Sequence, residues 1–449
     1  MTQSTVDRLT QILVAQYLAK HAHEASLSQF MQETGLPRSA VEAAEYETLE
    51  TLVAERVEYN ESALANQLAQ NSLNDAMPEL DPRFGVRAWD YTQHAAAMPL
   101  ERKPPSMTID LQFGAGAGPL AGYLSASTAA RTVNFYDRDL RVLRELQSTS
   151  GVVKKCGVLA GSSFYYTCGF NGSICVYNAS FERVLGHQLH ARIVTDIQFF
   201  QVGDSARFLC FSCGLDNHVK LHSLDLDSSS AELYDSFKLI TPCTSFQLVQ
   251  EPVQKCPLLL LTRLDFSHII VLGVRGGELV EMSRIAMNSA QFSAHSFNAR
   301  SMCLLNLQQT TDPTSTNKHL VPVQKGTMIA VATSHTPFMR LILLEMPDFS
   351  ELSQFSDANP KIYYDKILRN MATTIAQDQF SQPIVKAFLH ACGLVVGCDS
   401  GIYAVDLSNC DTWQAVPESK RVKALDVCDN RIAASYAGGD LEVWCFESR

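Results

Sequence analysis

Two cysteines have the spacing that comes nearest to a metal-binding motif. Cys210-Phe-Ser-Cys213 has the spacing of half a zinc site. The chain contains no second Cys-x-x-Cys pair. In a strand, residues three apart point to opposite faces, so one ion could not reach both thiols without a bend in the chain. We therefore expect packing cysteines here and no metal.

A run of glycines invites comparison with phosphate-binding loops. A Walker loop continues after its glycines into Lys and then Ser or Thr, whereas Gly114-Ala-Gly-Ala-Gly118 is followed by Pro119-Leu120. A dinucleotide-binding loop opens a helix, and the residues that follow here have the pattern of another strand. The run therefore predicts a turn between strands and no cofactor.

Histidines and nucleophiles give no clear catalytic motif either. His187 and His190 lack the carboxylate or further histidine that a local metal site needs. The chain has no Gly-x-Ser-x-Gly elbow and no cysteine in a known protease context. From the sequence we predict no catalytic, cofactor-binding or metal-binding residue.

Composition limits the class of protein and of partner. The 449 residues are 46% hydrophobic, which permits two folded parts or one large repeat architecture. A formal charge of −11 argues against a nucleic-acid partner, because Lys and Arg supply the affinity for phosphates. No apolar run approaches the roughly 18 residues needed to span a membrane.

Cysteine usage indicates a compartment. The thirteen cysteines are an odd number and are scattered almost singly. The first residues, MTQSTVDR, lack the charged start and apolar core of a secretory signal. We therefore expect reduced thiols and a location in the cytoplasm, the nucleus or both.

The elements that begin the chain are predicted from helical periodicity. Between Leu9 and Leu36 apolar residues recur three or four apart, which predicts two short helices broken near His21-Ala22-His23. Two helices this short cannot bury such a stripe between themselves, so a second copy of the pair would supply the missing surface. The residues predicted to dimerise are Leu9, Ile12, Leu13, Tyr17, Leu18, Leu27, Phe30 and Glu33.

These residues resemble the LisH motif, a helical dimerisation element of intracellular eukaryotic proteins. The match comprises Tyr17-Leu18, Ser26-Leu27, Phe30 and Glu33 at the spacing of the family. The chain departs from the pattern at Ala22-His23, where the family has a glycine and an aromatic residue. An ordinary amphipathic hairpin packed on its own domain is the alternative.

Two segments follow the LisH-like motif of residues 1–38. Residues 39–74 open with a capping-box pattern and contain many glutamates, and we expect an acidic helical extension. Its charged side would be either a solvated face or a docking surface for a basic partner. Residues 75–107 contain scattered prolines and are predicted to be a linker. Within the linker we expect the part from Phe84 to Tyr91 to dock on a neighbouring surface.

From residue 108 to the end the pattern changes to short alternating strands that recur at intervals of about 40 residues. The clearest strand recurs seven times, at 131–138, 172–179, 217–224, 276–283, 339–347, 401–408 and 439–447. We predict a seven-bladed β-propeller over 108–449, since ring closure removes exposed sheet edges. The predicted blades are 108–148, 151–186, 190–238, 241–284, 297–349, 380–416 and 420–447. The stretches 308–318 and 348–382 are predicted rim loops, the second with a helix over Tyr363 to Gln377.

The repeats resemble the WD-repeat family, in which a strand, a turn with Asp and Gly, and a strand ending in Trp-Asp belong to each blade. Only Trp444 occupies the Trp position, so the repeats are degenerate. Gly186-His187 with His190 resembles the Gly-His that opens a WD repeat. The resemblance implies a hydrogen-bonded tetrad in one blade, with His222 replacing Trp. The residues given a structural role in the propeller are His190, Ser212, Asp216, His222, Asp399, Ser435 and Trp444.

The predicted fold is mainly β with an α-helical N-terminus. We expect a non-catalytic scaffold that dimerises through its LisH-like helices and presents a propeller to other proteins. Similar combinations occur in ubiquitin-ligase subunits, corepressors and motor regulators, and the resemblance does not choose among them. The alternative is a propeller enzyme, or a propeller that binds a small molecule or peptide, with its site at the central opening.

Overall fold

The computed structural model describes residues 3–42, 48–50, 53, 80–114, 119–149, 151–159, 161–203, 205–251, 254–288, 297–307, 320–322, 326–349 and 360–449. The chain divides into two units. One consists of Met1–Ala76 and Ala290–Ala294, and the other of Met77–Ser289 and His295–Arg449. No helix of the described part is long and apolar enough to cross a membrane.

The first unit begins with the two predicted helices. Helix α1 is Gln3–Lys20, α2 is Glu24–Thr34, and a short α3 is Ser39–Glu42. The chain turns between α1 and α2 at Ala22, whose φ is +57°. Glycine adopts this left-handed conformation more easily than alanine, which explains why the LisH pattern has glycine here. Gly35, with φ of +68°, ends α2.

The start of the acidic extension is anchored to α1. Glu50 Oε1 lies 3.1 Å from Lys20 Nζ and 2.9 Å from His21 Nε2. A backbone hydrogen bond at Glu50 and the bonds from these two side chains lower the pKa of this carboxyl group to about 2. Apart from α3, residues 48–50 and Val53, the predicted helical extension over 39–74 lies outside the described residues.

The described residues of the second unit form thirty β-strands. In chain order they are β1 Ala96–Met98, β2 Thr108–Phe113, β3 Leu124–Thr128, β4 Thr132–Tyr136, β5 Val142–Gln147, β6 Val153–Val158, β7 Tyr165–Gly169, β8 Ser173–Tyr177, β9 Arg183–Gln188, β10 Val194–Gln201, β11 Arg207–Gly214, β12 His218–Asp225, β13 Ser230–Lys238, β14 Cys243–Gln250, β15 Pro257–Arg263, β16 His268–Arg275, β17 Glu278–Ala286, β18 Ala299–Leu305, β19 Val321–Pro322, β20 Met328–Thr333, β21 Phe338–Glu345, β22 Lys361–Tyr363, β23 Ile367–Ala376, β24 Ile384–Phe388, β25 Gly393–Cys398, β26 Gly401–Asp406, β27 Thr412–Gln414, β28 Val422–Cys428, β29 Arg431–Tyr436 and β30 Leu441–Cys445.

The strands form seven antiparallel sheets, the blades of a seven-bladed β-propeller. Blade 1 is β2–β5, blade 2 is β6–β9, blade 3 is β10–β13, blade 4 is β14–β17, blade 5 is β18, β20, β21 and β23, blade 6 is β24–β27, and blade 7 is β28–β30 with β1. In addition, β19 and β22 pair in parallel with the two edge strands of blade 4. The prediction of a helical N-terminus and a seven-bladed propeller is confirmed.

Antiparallel pairing within each blade fixes which loops share a face of the ring. The first strand of a blade lines the central channel, and the fourth strand is outermost. The crossover from each fourth strand to the next first strand lies on the same face as the turn between second and third strands. We call this the crossover face.

The hydrophobic core consists of one cluster between each pair of adjacent blades. Seven such clusters are found among the described residues, and they include a cluster joining blade 7 to blade 1. Alternating side chains of each strand fill the two clusters on either side of a blade. Cys210 and Cys213 show this, since the first packs between blades 2 and 3 and the second between blades 3 and 4.

The predicted boundary between linker and propeller at residue 108 is wrong. Strand β1 belongs to the propeller, because it pairs with β30 and places Ala97 opposite Trp444. The C-terminus is held by the same segment, with the Arg449 amide donating to the Asp90 carbonyl over 2.9 Å. Blade 7 thus combines β1, which precedes blade 1 in the sequence, with three strands from the C-terminal end of the chain.

The expected docking of residues 84–91 is seen at Trp89. Its ring lies 5.2 Å from the Phe388 ring, 4.9 Å from the Trp413 ring and 5.4 Å from the Phe446 ring. Gly393 makes room for it, because a Cβ there would lie 2.6 Å from the Trp89 ring. The segment therefore seals blades 6 and 7 with aromatic contacts, which contribute beyond their buried area.

The predicted helix over Tyr363 to Gln377 is also wrong. Residues Ile367–Ala376 form β23, the outer strand of blade 5. Its side chains alternate strictly, with Met371, Thr373 and Ile375 buried and their neighbours exposed. This period of two was legible in the sequence as the pattern of a half-buried strand.

The fourth predicted copy of the repeated strand is out of register. Residues 276–283 cover β17, the outer strand of blade 4, whereas the third strand of that blade is β16. The other six copies coincide with third strands. In blade 4 the turn between the second and third strands is Leu264-Asp265-Phe266-Ser267, which contains no glycine, whereas the conspicuous Gly276-Gly277 turn separates the third strand from the fourth. The predicted rim loop over 308–318 lies outside the described residues.

A fragment of residues 106–449 should fold poorly, because it lacks β1 and Trp89. A fragment of residues 80–449 retains both and should give soluble β-rich material with a cooperative thermal transition. Circular dichroism of the two fragments makes the comparison. Equal transition temperatures would show that the segment before residue 106 is dispensable for ring closure.

Replacing Trp444 by alanine should destabilise the propeller by about 3–5 kcal/mol, as for other buried tryptophans. The Trp444 side chain is 95% buried between blades 6 and 7, since its relative exposure is 5%. Urea unfolding of the full chain measures the change. A loss below about 1 kcal/mol would contradict this packing role.

Candidate functional site

The channel lining begins with a backbone feature that repeats around the ring. The first strands of six blades each carry a β-bulge after their first residue, and blade 6 alone pairs without one. A bulge adds an unpaired residue and redirects the side chains that follow. The inserted residues are Ile109, Lys154, Thr195, Thr244, Arg300 and Lys423.

Polar side chains beyond the bulges join one blade to the next. In each case a side-chain oxygen on one first strand accepts the backbone N–H of the following first strand. Such bonds satisfy inner-edge donors that no further strand can pair. The bonds are Asp110 Oδ2 from Cys156 at 3.2 Å, Ser245 Oγ from Met302 at 3.0 Å, Ser301 Oγ from Val385 at 3.1 Å, and Asp426 Oδ2 from Phe113 at 2.8 Å.

Two of these carboxylates also form ion pairs across blade boundaries. Lys155 Nζ lies 3.1 Å from Asp110 Oδ1, and Lys386 Nζ lies 2.8 Å from Asp426 Oδ1. Burial alone would lower the pKa of Lys155, but Asp110 and Asp196 outweigh it and raise the pKa above its usual range. The pKa of Lys386 is raised in the same way, because Asp426 outweighs the effect of burial. Both lysines are therefore charged.

Asp196 forms with Asp110, Lys155, Lys386 and Asp426 a ring of charges that we call the charged belt, and Lys154 lies beside it. Neither Asp196 nor Lys154 has a close ion-pair partner among the described residues. Burial raises the pKa of Asp196, and Lys155 opposes this effect only in part. Burial and the neighbouring Lys155 lower the pKa of Lys154. The channel thus contains alternating charges rather than one catalytic pair.

The belt was missed by the sequence analysis. Its members Asp110, Lys155, Asp196, Lys386 and Asp426 all lie on first strands. The available signal was a charged residue recurring near the start of otherwise apolar β-runs. No short sequence motif spans more than one blade. The convergence of these charges could therefore be predicted only from the arrangement of the blades in the ring.

The predicted tetrad is only partly connected. His190 Nδ1 lies 3.0 Å from both oxygens of Asp216, and His190 Nε2 lies 2.9 Å from Ser212 Oγ. His190 comes from the crossover into blade 3, and Asp216 from the turn on the same face, so the bonds tie two loops together. His222 is buried beside them, but its Nδ1 has no hydrogen-bond partner within the described part of the chain.

The remaining predicted propeller residues lie in blades 6 and 7. Asp399 joins two crossovers, since it accepts from Ser381 Oγ at 2.6 Å and lies 2.8 Å from Arg421 Nε. Ser435 and Trp444 are buried in blade 7, and Ser435 Oγ has no hydrogen-bond partner among the described residues. The three residues therefore do not form a second tetrad.

The predicted dimerisation residues lie on α1 and α2 as expected. Leu9 is 51% exposed, and Glu33 is also exposed. The other six are half-buried within the chain, namely Ile12, Leu13, Tyr17, Leu18, Leu27 and Phe30. An apolar stripe of the helical unit thus remains partly accessible.

No group of three or more His, Cys, Asp or Glu side chains within the described ranges is arranged to hold a metal ion. All thirteen cysteines are described, and none forms a disulfide.

Asp110 should matter for stability, because it serves both an ion pair and a backbone donor. Asp110→Ala leaves Lys155 and the Cys156 amide unsatisfied, and we expect a loss of about 2–3 kcal/mol in urea unfolding. Arg102→Ala removes the exposed pair with Glu145 and should cost less than about 1 kcal/mol. Equal effects of the two substitutions would contradict the role of the belt.

His222 should make stability depend on pH. Burial, followed by the charges of His187 and Lys220, lowers its pKa from 6.5 to about 3. Below pH 6.5 the imidazole of His222 binds a proton in the unfolded chain but not in the folded chain. The free energy of unfolding therefore falls by up to about 1.4 kcal/mol for each unit by which the pH is lowered. His222→Leu should flatten this dependence between about pH 6 and pH 4. If the free energy of unfolding from urea titrations falls as steeply with pH in the variant as in the unaltered chain, this role of His222 is contradicted.

Comparison with known proteins matches both units. Residues 8–42 match the family model described as "UCP007778, LisH domain", and residues 71–445 match "UCP007778, beta-propeller domain". The Saccharomyces cerevisiae protein "Uncharacterized protein YGR117C" is 30% identical over 466 aligned residues, which cover 96% of this chain and 95% of the relative. The second match begins well before residue 108, in agreement with the role of β1. The chain therefore belongs to the UCP007778 family, whose members combine a LisH domain with a β-propeller.

Proposed function

We propose that this protein is a non-catalytic interaction scaffold, which dimerises through its LisH domain and presents its propeller to partner proteins. The observation that carries the proposal is the partly accessible apolar stripe on α1 and α2. Leu9 leaves half of its side chain in solvent. Pairing with a second copy would remove that apolar surface from water.

Dimerisation would give such a scaffold its affinity. Two linked propellers can hold a partner that offers two contacts, because the second contact forms at a raised effective concentration. Weak single contacts then combine into firm attachment. This mechanism requires only a partner surface on the propeller, and it serves a multiprotein complex of any of the three kinds named above.

The channel chemistry supports binding better than catalysis. Two of its carboxylates, Asp110 and Asp426, are engaged both in ion pairs with lysines and in bonds from backbone amides. Those bonds join neighbouring blades, so these groups have a structural task already. The unbridged cysteines favour the reducing cytoplasm or nucleus.

The test is the solution mass of the full chain. We expect twice the chain mass of 49.6 kDa by light scattering. Leu9→Asp should reduce the mass to that of one chain, because it places a charge in the proposed interface at a position that is 51% exposed in the single chain. Gln32→Asp on the exposed side of α2 is the matched control and should leave the mass doubled. A single-chain mass for the unaltered protein, or a doubled mass for Leu9→Asp, would overturn the proposal.

A further inference from the structure

Exposed apolar side chains are concentrated on the crossover face. Ile240 is 81% exposed in the crossover from blade 3 to blade 4, and Phe380 is 72% exposed in the crossover from blade 5 to blade 6. Phe338 is 51% exposed at the start of the third strand of blade 5, on the same face. Water-exposed side chains of this size in neighbouring blades are typical of a contact surface.

Basic residues stand at the mouth of the channel on the same face. Each first strand begins at the crossover face, so the bulge residues Lys154, Arg300 and Lys423 lie near its opening. Lys154 and Lys423 are close enough to repel each other electrostatically. Neither amine has a carboxylate within 4.0 Å in the described part of the chain, so neither lysine is held in an ion pair, although Asp110 and Asp196 act on Lys154 from a greater distance.

A hydrogen bond connects the basic mouth to the crossover from blade 5 to blade 6. Arg300 Nη2 donates to the Gln379 carbonyl over 2.9 Å, which ties the mouth to the loop that carries Phe380. The acidic side chains of this loop region already have partners. Asp378 accepts the Phe380 amide at 2.8 Å, and Asp399 is paired with Arg421.

We propose that the crossover face binds an acidic peptide segment of a partner protein, with carboxylates over Lys154 and Lys423 and apolar side chains against Ile240, Phe338 and Phe380. Charge complementarity selects this occupant, because the mouth is basic in a chain whose formal charge is −11. A nucleic acid would need many phosphate contacts along a basic track, and here the basic groups converge on one opening. The inference rests on the proposed scaffold role and names the chemistry of its partner.

The experiment uses fluorescence anisotropy with the full chain and a labelled synthetic peptide of repeated Glu-Glu-Phe-Leu. We expect saturable binding that weakens as salt is added, since exposed charges are screened. Lys154→Glu with Lys423→Glu should weaken binding by about tenfold or more. Ile240→Ser with Phe380→Ser, at two exposed positions that should not affect folding, should weaken it by a similar factor.

Arg144→Glu with Arg183→Glu is the matched control. Both arginines lie exposed on outer strands, so this variant carries the same change of charge away from the mouth. It should bind the peptide as the unaltered chain does. A peptide of repeated Lys-Lys-Phe-Leu should bind at least about tenfold more weakly than the acidic one.

Three results would overturn the inference: no binding of the acidic peptide, equal binding of the acidic and basic peptides, or equal loss in the mouth variant and the outer-strand control. Tighter binding of a labelled single-stranded oligonucleotide than of the acidic peptide would assign the mouth to nucleic acid instead. None of these results changes the solution mass of the chain. Failure here is therefore distinguishable from failure of the dimer proposal.

Discussion

Closure of the ring is the constraint on which the propeller depends. Each blade buries both of its faces against neighbours, so an unclosed ring would expose an apolar sheet face at each end. The backbone pairing of β1 with β30 supplies the fourth strand of blade 7, and Trp89 fills the adjoining aromatic cluster. The loop-closure cost of joining such distant segments is modest, because it grows only slowly with the length of chain between them.

Closure also creates the channel and determines its chemistry. First strands at the centre of a ring have an inner edge that, apart from the short pairing of β14 with β19, pairs with no further strand, and their amides need other partners. Asp110, Ser245, Ser301 and Asp426 meet that need by accepting from the next blade. Lys155 and Lys386 then neutralise two of the carboxylates. The polar lining thus follows from the architecture, and the lysines at the mouth, which form no ion pair with the described residues, are the departure that points to a ligand.

The sequence predicted those parts of the structure that depend on local pattern. Helical spacing located α1 and α2, and the recurring third strand revealed seven blades. Features that depend on pairing between segments far apart in the sequence could not be predicted from it. Nothing near Ala96–Met98 indicates that its partner lies at Leu441–Cys445, and the charged belt requires residues from several blades to meet. The helix predicted over 363–377 failed for a different reason, since helical propensity was preferred there to an alternating pattern that tertiary packing favours.

The central claim is that the LisH helices are completed by a second copy of the chain, while the propeller is complete in itself. Hydrogen exchange followed by mass spectrometry at several protein concentrations tests both halves at once. The account predicts that amides of α1 and α2 exchange faster as the protein is diluted, while those of strands β2 to β30 keep a constant rate. Exchange in α1 and α2 that does not vary with concentration, from the most dilute to the most concentrated sample, would contradict it.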